Sequence, residues 1–284
     1  MFHIHFRPPA LYSCHGQNYL THSEEESTKE ETSTKGTKKT REMKIYLAKF
    51  AVRISIVLIF LVLYLTNREG IAEMMMQPFS HGITFVLVIW FIFMGIMISH
   101  LIPNRRLSMA WKKSRESEFH PVENYDKAEL AQFIRKQNIA ALVIMLVWLS
   151  FNAIFGILYL KGILIPSDLL MLTVFFFLCD YICILLFCPF QTFFMKNKCC
   201  INCRIYDWGH FMMFTPMLFI PSFYSWSLFF TSLVVLLHWE ITYARHPERF
   251  WEGSNKTLQC ANCKERTCQL KNSIRNKAVK TFSK

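Results

Sequence analysis

The chain has 284 residues, of which 52% are hydrophobic and 15% aromatic, and its formal net charge is +12. A soluble domain is about 45–50% apolar, and its apolar residues recur at helix or strand spacing instead of in runs of about twenty. The composition therefore argues against a soluble enzyme. It also argues against a nucleic-acid partner, because no stacking motif or recognition module accompanies the positive charge.

The N-terminal segment differs in composition from the rest of the chain. Its sequence THSEEESTKEETSTKGTKKTRE is polar, charged and poor in residues that form a core. Such a composition buries too little apolar surface to offset the entropy lost on ordering. We expect residues 1–43 to be a disordered cytosolic N-terminal tail.

Apolar runs long enough to cross a membrane follow this tail. About 20 apolar residues in a helix cross roughly 30 Å of hydrocarbon, and four such runs occupy residues 45–66, 82–102, 138–160 and 167–188. A fifth apolar region, residues 205–244, is about twice the necessary length, and Pro221 with the turn-forming residues after it divides the region into two spans. The sequence predicts an all-α polytopic membrane helix bundle with six transmembrane helices in residues 44–244.

The distribution of basic residues predicts the topology. With six spans, 30 of the 32 Lys and Arg residues fall on one side, and only Arg68 and Lys161 fall on the other. Because cytosolic loops carry an excess of Lys and Arg, both termini are predicted to be cytosolic. The loop 103–137 and a basic, cysteine-containing tail, residues 245–284, then lie in the cytosol. We expect a multi-pass protein of the cell membrane whose partners are the lipid bilayer and its anionic headgroups.

Two cysteine groups flank the last predicted hairpin. KCCINC at 198–203 and CANCKERTC at 260–268 contain two CxxC pairs, Cys200 with Cys203 and Cys260 with Cys263. Four thiolates at this spacing complete a tetrahedron around zinc, and the same four would hold an iron–sulfur cluster. The further candidate ligands are Cys188, Cys199 and Cys268. We therefore expect a cytosolic cysteine-rich cap that binds zinc or an iron–sulfur cluster, because structural disulfides are rare in a reducing cytosol.

The paired CxxC motifs resemble the metal knuckles of zinc ribbons and rubredoxins over about a dozen residues. In this chain, 56 residues that include two predicted membrane helices separate the two pairs. Two alternatives to a shared metal site stay open: thiol–disulfide chemistry, and no joint role for the cysteines. The first is disfavoured because no βαβ pattern surrounds either pair.

Asp180 lies well inside the fourth predicted span, and His238 and Glu240 lie inside the sixth. A charge at the bilayer centre costs about 2.5–3.5 kcal/mol on insertion scales, so such residues face the bundle and are paired or protonated. One interpretation is a proton or ion relay in a small transporter or permease. The other is interhelical hydrogen bonding, with Asn152, Ser150 or a backbone carbonyl as the partner of Asp180.

No soluble catalytic motif is present, so the sequence leaves open whether the protein is an enzyme. A chain of two haems across the bilayer is not expected, because His81 is the only histidine near the outer face. One haem near the inner face, bound by two of His100, His210 and His238, stays open as a less favoured alternative. The segment RHPERFW, residues 245–251, is expected to lie at the interface with Phe250 and Trp251 in the headgroups. The leading hypothesis is an integral membrane protein with a Cys-ligated metal site, structural or in membrane redox chemistry. The alternatives are a transporter and a membrane scaffold, and no protein partner is indicated.

Overall fold

The computed structural model describes residues 41–76, 85–102, 115–197 and 202–262, without the side chains of residues 41–43, 85 and 260. Over these ranges the chain forms helices and no strand, with one isolated antiparallel bridge between Pro121 and Asn255. The predicted disorder of residues 1–43 falls almost wholly outside the described residues, since the first helix begins at Arg41. The same holds for Cys199, Cys200, Cys263 and Cys268.

The helices of the described residues have the following bounds. The α-helices are α1 (Arg41–Thr66), α2 (Arg68–Met76), α3 (Phe85–Leu101), α4 (Lys127–Leu160), α5 (Pro166–Leu185), α6 (Gly209–Phe214) and α7 (Phe223–Arg245). A π-helix occupies Phe190–Met195, and short 3-10 helices occupy Glu116–Glu118, Arg204–Trp208, Thr215–Phe219, Pro247–Phe250, Lys256–Leu258 and Cys260–Asn262.

Four helices in the described part of the chain are long and apolar enough to cross a membrane: Lys44–Thr66 within α1, then α4, α5 and α7. Most of α3, Val86–Leu101, is a shorter apolar helix. The outward faces of these helices are strongly apolar, and Leu65 and Leu142 are 73% and 60% exposed. The predicted all-helical, multi-pass membrane class is therefore confirmed.

The long helices begin where side chains can bind free backbone N–H groups. Asp126 accepts a hydrogen bond from the backbone N–H of Ala128 at 2.7 Å, so α4 starts at the cytosol-predicted segment and continues unbroken into the third predicted span. Ser222 accepts a hydrogen bond from the backbone N–H of Ser225 at 3.4 Å at the start of α7. The break predicted at Pro221 therefore coincides with the beginning of a new helix.

The fifth predicted span is helical but not a regular α-helix. Residues 204–219, called here the mixed helix, consist of α6 between two 3-10 segments and are about 29 Å long at the rise of each helix type. The mixed helix packs against α4, α5 and α7, and Trp208, Phe211, Phe214 and Met217 are buried in it. It is a central element of the bundle.

Contacts between helices define two ends of the bundle. At one end, Tyr64 near the end of α1 donates a hydrogen bond to the carboxylate of Asp168 at the start of α5, at 2.6 Å. At the other end, Trp239 in α7 donates a hydrogen bond to the carbonyl of Arg204 at 2.7 Å. We call the first the hairpin end, because it holds the short connections 161–165 and 220–222, and the second the tail end.

Residues 115–126 and 246–262 fold together at the tail end and form what we call the tail-end cap. The backbone N–H of Val122 binds the carbonyl of Ser254 at 2.9 Å, and that of Lys256 binds the carbonyl of His120 at 2.8 Å. Ser254 and Asn255 are fully buried. The start of the C-terminal tail is thus attached to the segment that precedes α4.

The position of Phe250 corrects one prediction. Its side chain is only 8% exposed, and its ring lies 5.0 Å from the rings of both Trp239 and Tyr243 on α7. The 3-10 turn Pro247–Phe250 that follows α7 directs the ring back onto that helix. The prediction that Phe250 lies in the headgroups was therefore wrong, because its ring packs in the protein core against Trp239 and Tyr243. Trp251 is half-buried, 6.0 Å from the ring of Phe133 on α4.

Candidate functional site

The two segments that carry the CxxC pairs meet at the tail end. The side-chain amide of Asn202, the residue before Cys203, donates hydrogen bonds to the carbonyl of Leu258 at 3.4 Å and to a carboxylate oxygen of Glu252 at 3.2 Å. Gln259, the residue before Cys260, donates to the carbonyl of Glu252 at 3.2 Å. The backbone positions of Cys203 and Cys260 therefore belong to neighbouring segments.

The loop before Cys203 is attached at both of its ends. Asn197 donates its side-chain amide to the carbonyl of Asn202 at 3.3 Å and accepts a hydrogen bond from Gln137 on α4 at 3.1 Å. Gln191 in the π-helix donates to the backbone carbonyl of Asn197 at 2.9 Å. Residues 197 and 202, on either side of Cys199 and Cys200, are thereby held against α4 and against each other.

Two of the seven predicted metal ligands, Cys188 and Cys203, have described side chains. Cys203 is a reduced thiol, 5% exposed, in an apolar cluster with Met195 and Ile205. Cys188 is a half-buried thiol whose sulfur accepts a hydrogen bond from the backbone N–H of Gln191 at 3.4 Å. Among the described residues, no group of three or more His, Cys, Asp and Glu side chains is placed to hold a metal ion. The other five predicted ligands have no described side chain: Cys199, Cys200, Cys260, Cys263 and Cys268.

Asp180 is paired with an arginine from another helix. Its carboxylate accepts a hydrogen bond from Nη1 of Arg53 on α1 at 2.8 Å, and the same nitrogen donates to the carbonyl of Phe177 at 2.5 Å. The guanidinium also lies 4.0 Å and 3.9 Å from the ring centroids of Phe177 and Tyr181. Asp180 thus helps to hold α1 against α5, with a partner different from the amide, hydroxyl and carbonyl groups expected from the sequence.

Glu240 is bound by two side chains from the start of the mixed helix. Arg204 pairs with one oxygen of the Glu240 carboxylate, and Trp208 donates its ring N–H to the other at 2.8 Å. The Arg204 guanidinium also contacts Asn138 on α4 and lies 4.2 Å from the ring centroid of Tyr243. The two carboxylates of the hypothetical relay, Asp180 and Glu240, therefore bind different arginines.

The structure describes the histidine of the relay hypothesis, His238, and a separate pair of histidines. His238 is half-buried on α7, and its backbone carbonyl accepts a hydrogen bond from the Thr242 hydroxyl at 2.8 Å. The histidines that lie together are His100 and His210, whose ring centroids are 5.0 Å apart. Gly209, the neighbour of His210, lies so close to Asp180 that a Cβ at this position would be 3.0 Å from a carboxylate oxygen.

Sequence reasoning missed the importance of Arg53 and Arg204. Arg53 was counted only as a topology signal, although an arginine in an apolar helix needs an anionic partner. Arg53 in α1 and Asp180 in α5 both lie about 20 Å from the hairpin end at 1.5 Å per residue. This equality of depth was the available signal for the pair.

Apolar helices of membrane-spanning length that are joined by interhelical ion pairs define the class: this is a multi-pass membrane helix bundle. The chain matches no protein-family model, no curated protein and no solved structure.

Proposed function

We propose that this is a six-span membrane protein with cytosolic termini, in which a metal site attaches the C-terminal tail to the loop between α5 and the mixed helix. The ligands are Cys200, Cys203, Cys260 and Cys263, and the preferred ion is zinc in a structural role. The observation that carries the proposal is the contact of Asn202 with Leu258, which brings together segments that are distant in sequence.

The arrangement of the helices supports six crossings. The mixed helix, at about 29 Å, and α3, at about 26 Å, are close to the roughly 30 Å of hydrocarbon that a span must cross. With these two included, the direction of the chain alternates between the hairpin end and the tail end six times. In this arrangement 30 of the 32 basic residues lie on the side of the tail end. The excess of Lys and Arg favours a cytosolic position for that end.

The local surroundings support a Cys-ligated metal site. Cys203 is buried next to the contact between the segments, and the residues on both sides of Cys199 and Cys200 are held by hydrogen bonds. In the sequence, Lys264 and Arg266 follow the second pair and would offset part of the charge of four thiolates. An ion bound here would stabilise a contact that the protein already makes through side-chain amides, which favours a structural role.

The metal site is tested by elemental analysis of full-length protein purified in detergent without oxygen. We expect about one zinc per chain and no visible absorption. Cys200→Ser with Cys260→Ser should lose the zinc, because this change removes one thiolate from each pair. The matched control is Cys179→Ser with Cys183→Ser, which changes two half-buried thiols of α5 outside both pairs. The control should keep the zinc.

Three results would decide against zinc in this site. Iron with sulfide and visible absorption in the wild-type protein would replace the structural ion with an iron–sulfur cluster. Zinc that persists in the Cys200 and Cys260 variant would place the metal elsewhere. Wild-type protein without bound metal, purified with its thiols reduced, would remove the shared site altogether.

The topology is tested with one epitope inserted after Gly162 and another added after Lys284. Gly162 has a positive φ of 73° in the turn between α4 and α5, with open space around it. Antibodies should reach the Gly162 epitope in intact cells or spheroplasts and the C-terminal epitope only after permeabilisation. The reverse pattern would invert the orientation, and access to both epitopes in intact cells would contradict the three crossings proposed between Gly162 and Lys284.

A further inference from the structure

A groove of about 760 Å³ lies at the tail end between α4, the π-helix and the tail-end cap. One part of its lining is apolar and the other part is polar. The apolar part includes Ile139, Val143 and Phe193, and the polar part includes Lys136, Lys196 and Glu252. A volume of several hundred cubic ångströms is typical of sites for small molecules and cofactors.

The apolar wall continues the surface that α4 presents to lipid. Ile139, Val143 and Phe193 are 56%, 39% and 61% exposed, and the neighbouring Leu142 on α4 is 60% exposed without lining the groove. A contiguous exposed apolar surface of this kind marks a site of contact with a membrane or another molecule, and on a membrane-spanning helix it faces hydrocarbon. The groove is therefore open to the acyl chains of the bilayer.

The polar wall lies at the level where α4 leaves the apolar region. Lys136 is one turn of helix before Ala140 and about 10 Å along the axis from Val143. Lys196 follows the π-helix and has a left-handed backbone, with φ of 51°, that ends this helix and begins the loop. The groove thus has a cationic end followed, over about 10 Å, by an apolar end, which is the polarity of a phospholipid.

Gln137 fixes the shape of the groove. It is 5% exposed, lines the groove, and its side-chain amide donates to Asn197 and to the carbonyl of Met195. Its side-chain oxygen is buried and has no hydrogen-bond partner among the described residues. A buried acceptor that stays unpaired is destabilising, so a ligand with a hydroxyl donor is favoured.

We propose that this groove binds one anionic, hydroxyl-bearing glycerophospholipid of the surrounding bilayer. Lys136 and Lys196 bind its phosphate, the side-chain oxygen of Gln137 accepts a hydrogen bond from a headgroup hydroxyl, and an acyl chain lies along Ile139 and Val143. The two lysines outweigh the single carboxylate of Glu252, so the groove prefers an anionic headgroup over a zwitterionic one. No cysteine among the described residues lines the groove, although Asn202 and Glu252 line it and also join the two cysteine segments.

Native mass spectrometry of the full chain in detergent tests the headgroup preference with two probes, phosphatidylglycerol and phosphatidylcholine of identical acyl chains. Lys136→Gln with Lys196→Gln should weaken phosphatidylglycerol binding by about thirtyfold, since each of the two basic residues near a headgroup contributes about 1 kcal/mol. Binding of phosphatidylcholine should change little. Lys127→Gln with Lys161→Gln, which neutralises two exposed lysines of similar charge outside the groove, is the matched control and should bind as the wild type does.

A second pair of variants tests the acyl-chain part of the groove. Val143→Trp fills it and should reduce retention of phosphatidylglycerol, whereas Leu142→Trp, on the adjacent lipid-facing position outside the groove, should not. Thermal unfolding in detergent confirms that each variant is folded. Equal binding by the lysine variant and its control, equal binding of the two lipids by wild-type protein, or equal effects of the two tryptophans would each overturn the proposal.

Discussion

Arg53 and Asp180 form an ion pair between α1 and α5, with Nη1 of the arginine 2.8 Å from a carboxylate oxygen. The aromatic rings of Phe177 and Tyr181 also contact the guanidinium. Only 11% of the spanning window of α1 is buried, and this helix also contacts α5 through the hydrogen bond from Tyr64 to Asp168. The pair is therefore a principal attachment of α1 to the bundle at this depth.

Asp180→Asn should destabilise the protein by about 2–4 kcal/mol, because the Arg53 guanidinium loses its counter-charge in an apolar environment. The measurement is unfolding in mixed detergent micelles, followed by circular dichroism. A carboxylate that served only as a relay would leave the stability unchanged. A wild-type value for this variant would therefore contradict the role of the pair in holding α1.

The control for Asp180→Asn is the double variant Arg53→Met with Asp180→Leu. It replaces both charges with apolar side chains of similar size, which is often close to neutral for a buried pair. We expect the double variant to be more stable than Asp180→Asn. A larger loss in the double variant would show that the aromatic contacts of Arg53, and not its charge pairing, hold α1.

Gly156→Ala should destabilise the contact between α4 and the mixed helix. A Cβ at position 156 would overlap the ring of Phe219, and overpacking of this kind costs about 1–3 kcal/mol. Gly95 in α3 is the matched control, because a Cβ there meets nothing within 4 Å. Gly95→Ala should be neutral or stabilising by up to about 1 kcal/mol, since alanine has the higher helix propensity. Equal effects of the two alanines on the unfolding midpoint would contradict the close approach at Gly156.

Phe250→Ala tests whether this ring belongs to the core of the tail end. Loss of a buried phenylalanine costs about 3–5 kcal/mol, so the variant should unfold at a clearly lower temperature in detergent. Phe230→Ala on α7 is the control, because Phe230 is 52% exposed and faces outward. A ring that lay in the headgroups would make the Phe250 variant behave like the Phe230 variant.

The sequence predicts the long helices well, because the length of an apolar run and a breaker such as Pro221 are local signals. The irregular form of the mixed helix was predictable only in part: Pro216 indicates a break, and the change from α-helix to 3-10 helix falls at Thr215. Its 3-10 geometry depends on contacts with other helices, such as the hydrogen bond from Trp148 to Thr215 at 3.1 Å. The partners of Asp180 and Glu240 depend in the same way on which helices are neighbours, and hydropathy does not encode this.

The candidate metal site, too, could be predicted from the sequence only in part. The spacing of the cysteines predicts which residues would be ligands, but only tertiary structure brings Asn202 next to Leu258. Asn202 lies between the two cysteines of the first CxxC pair, but neither residue is a predicted ligand and neither stands out in the sequence. These contacts are hydrogen bonds from the side-chain amides of Asn197, Asn202 and Gln259. No periodic pattern in the sequence predicts them.

Asn202→Ala tests the contact between the two cysteine segments without altering a thiol. The side-chain amide of Asn202 donates to both Glu252 and Leu258, and a typical hydrogen bond contributes about 0.5–1.5 kcal/mol. Its loss should accelerate backbone hydrogen exchange by up to about tenfold in residues 197–203 and in residues 252–262, because local opening becomes easier on both sides of the contact. Asn262→Ala is the control, since within the described part of the chain the side chain of Asn262 donates to the carbonyl of Lys256 in its own segment, at 2.9 Å. That control should accelerate exchange near residues 256–262 and leave residues 197–203 as they are. Exchange that rises in one segment only after Asn202→Ala would mean that the two segments fold independently, and the shared cysteine site would lose its structural basis.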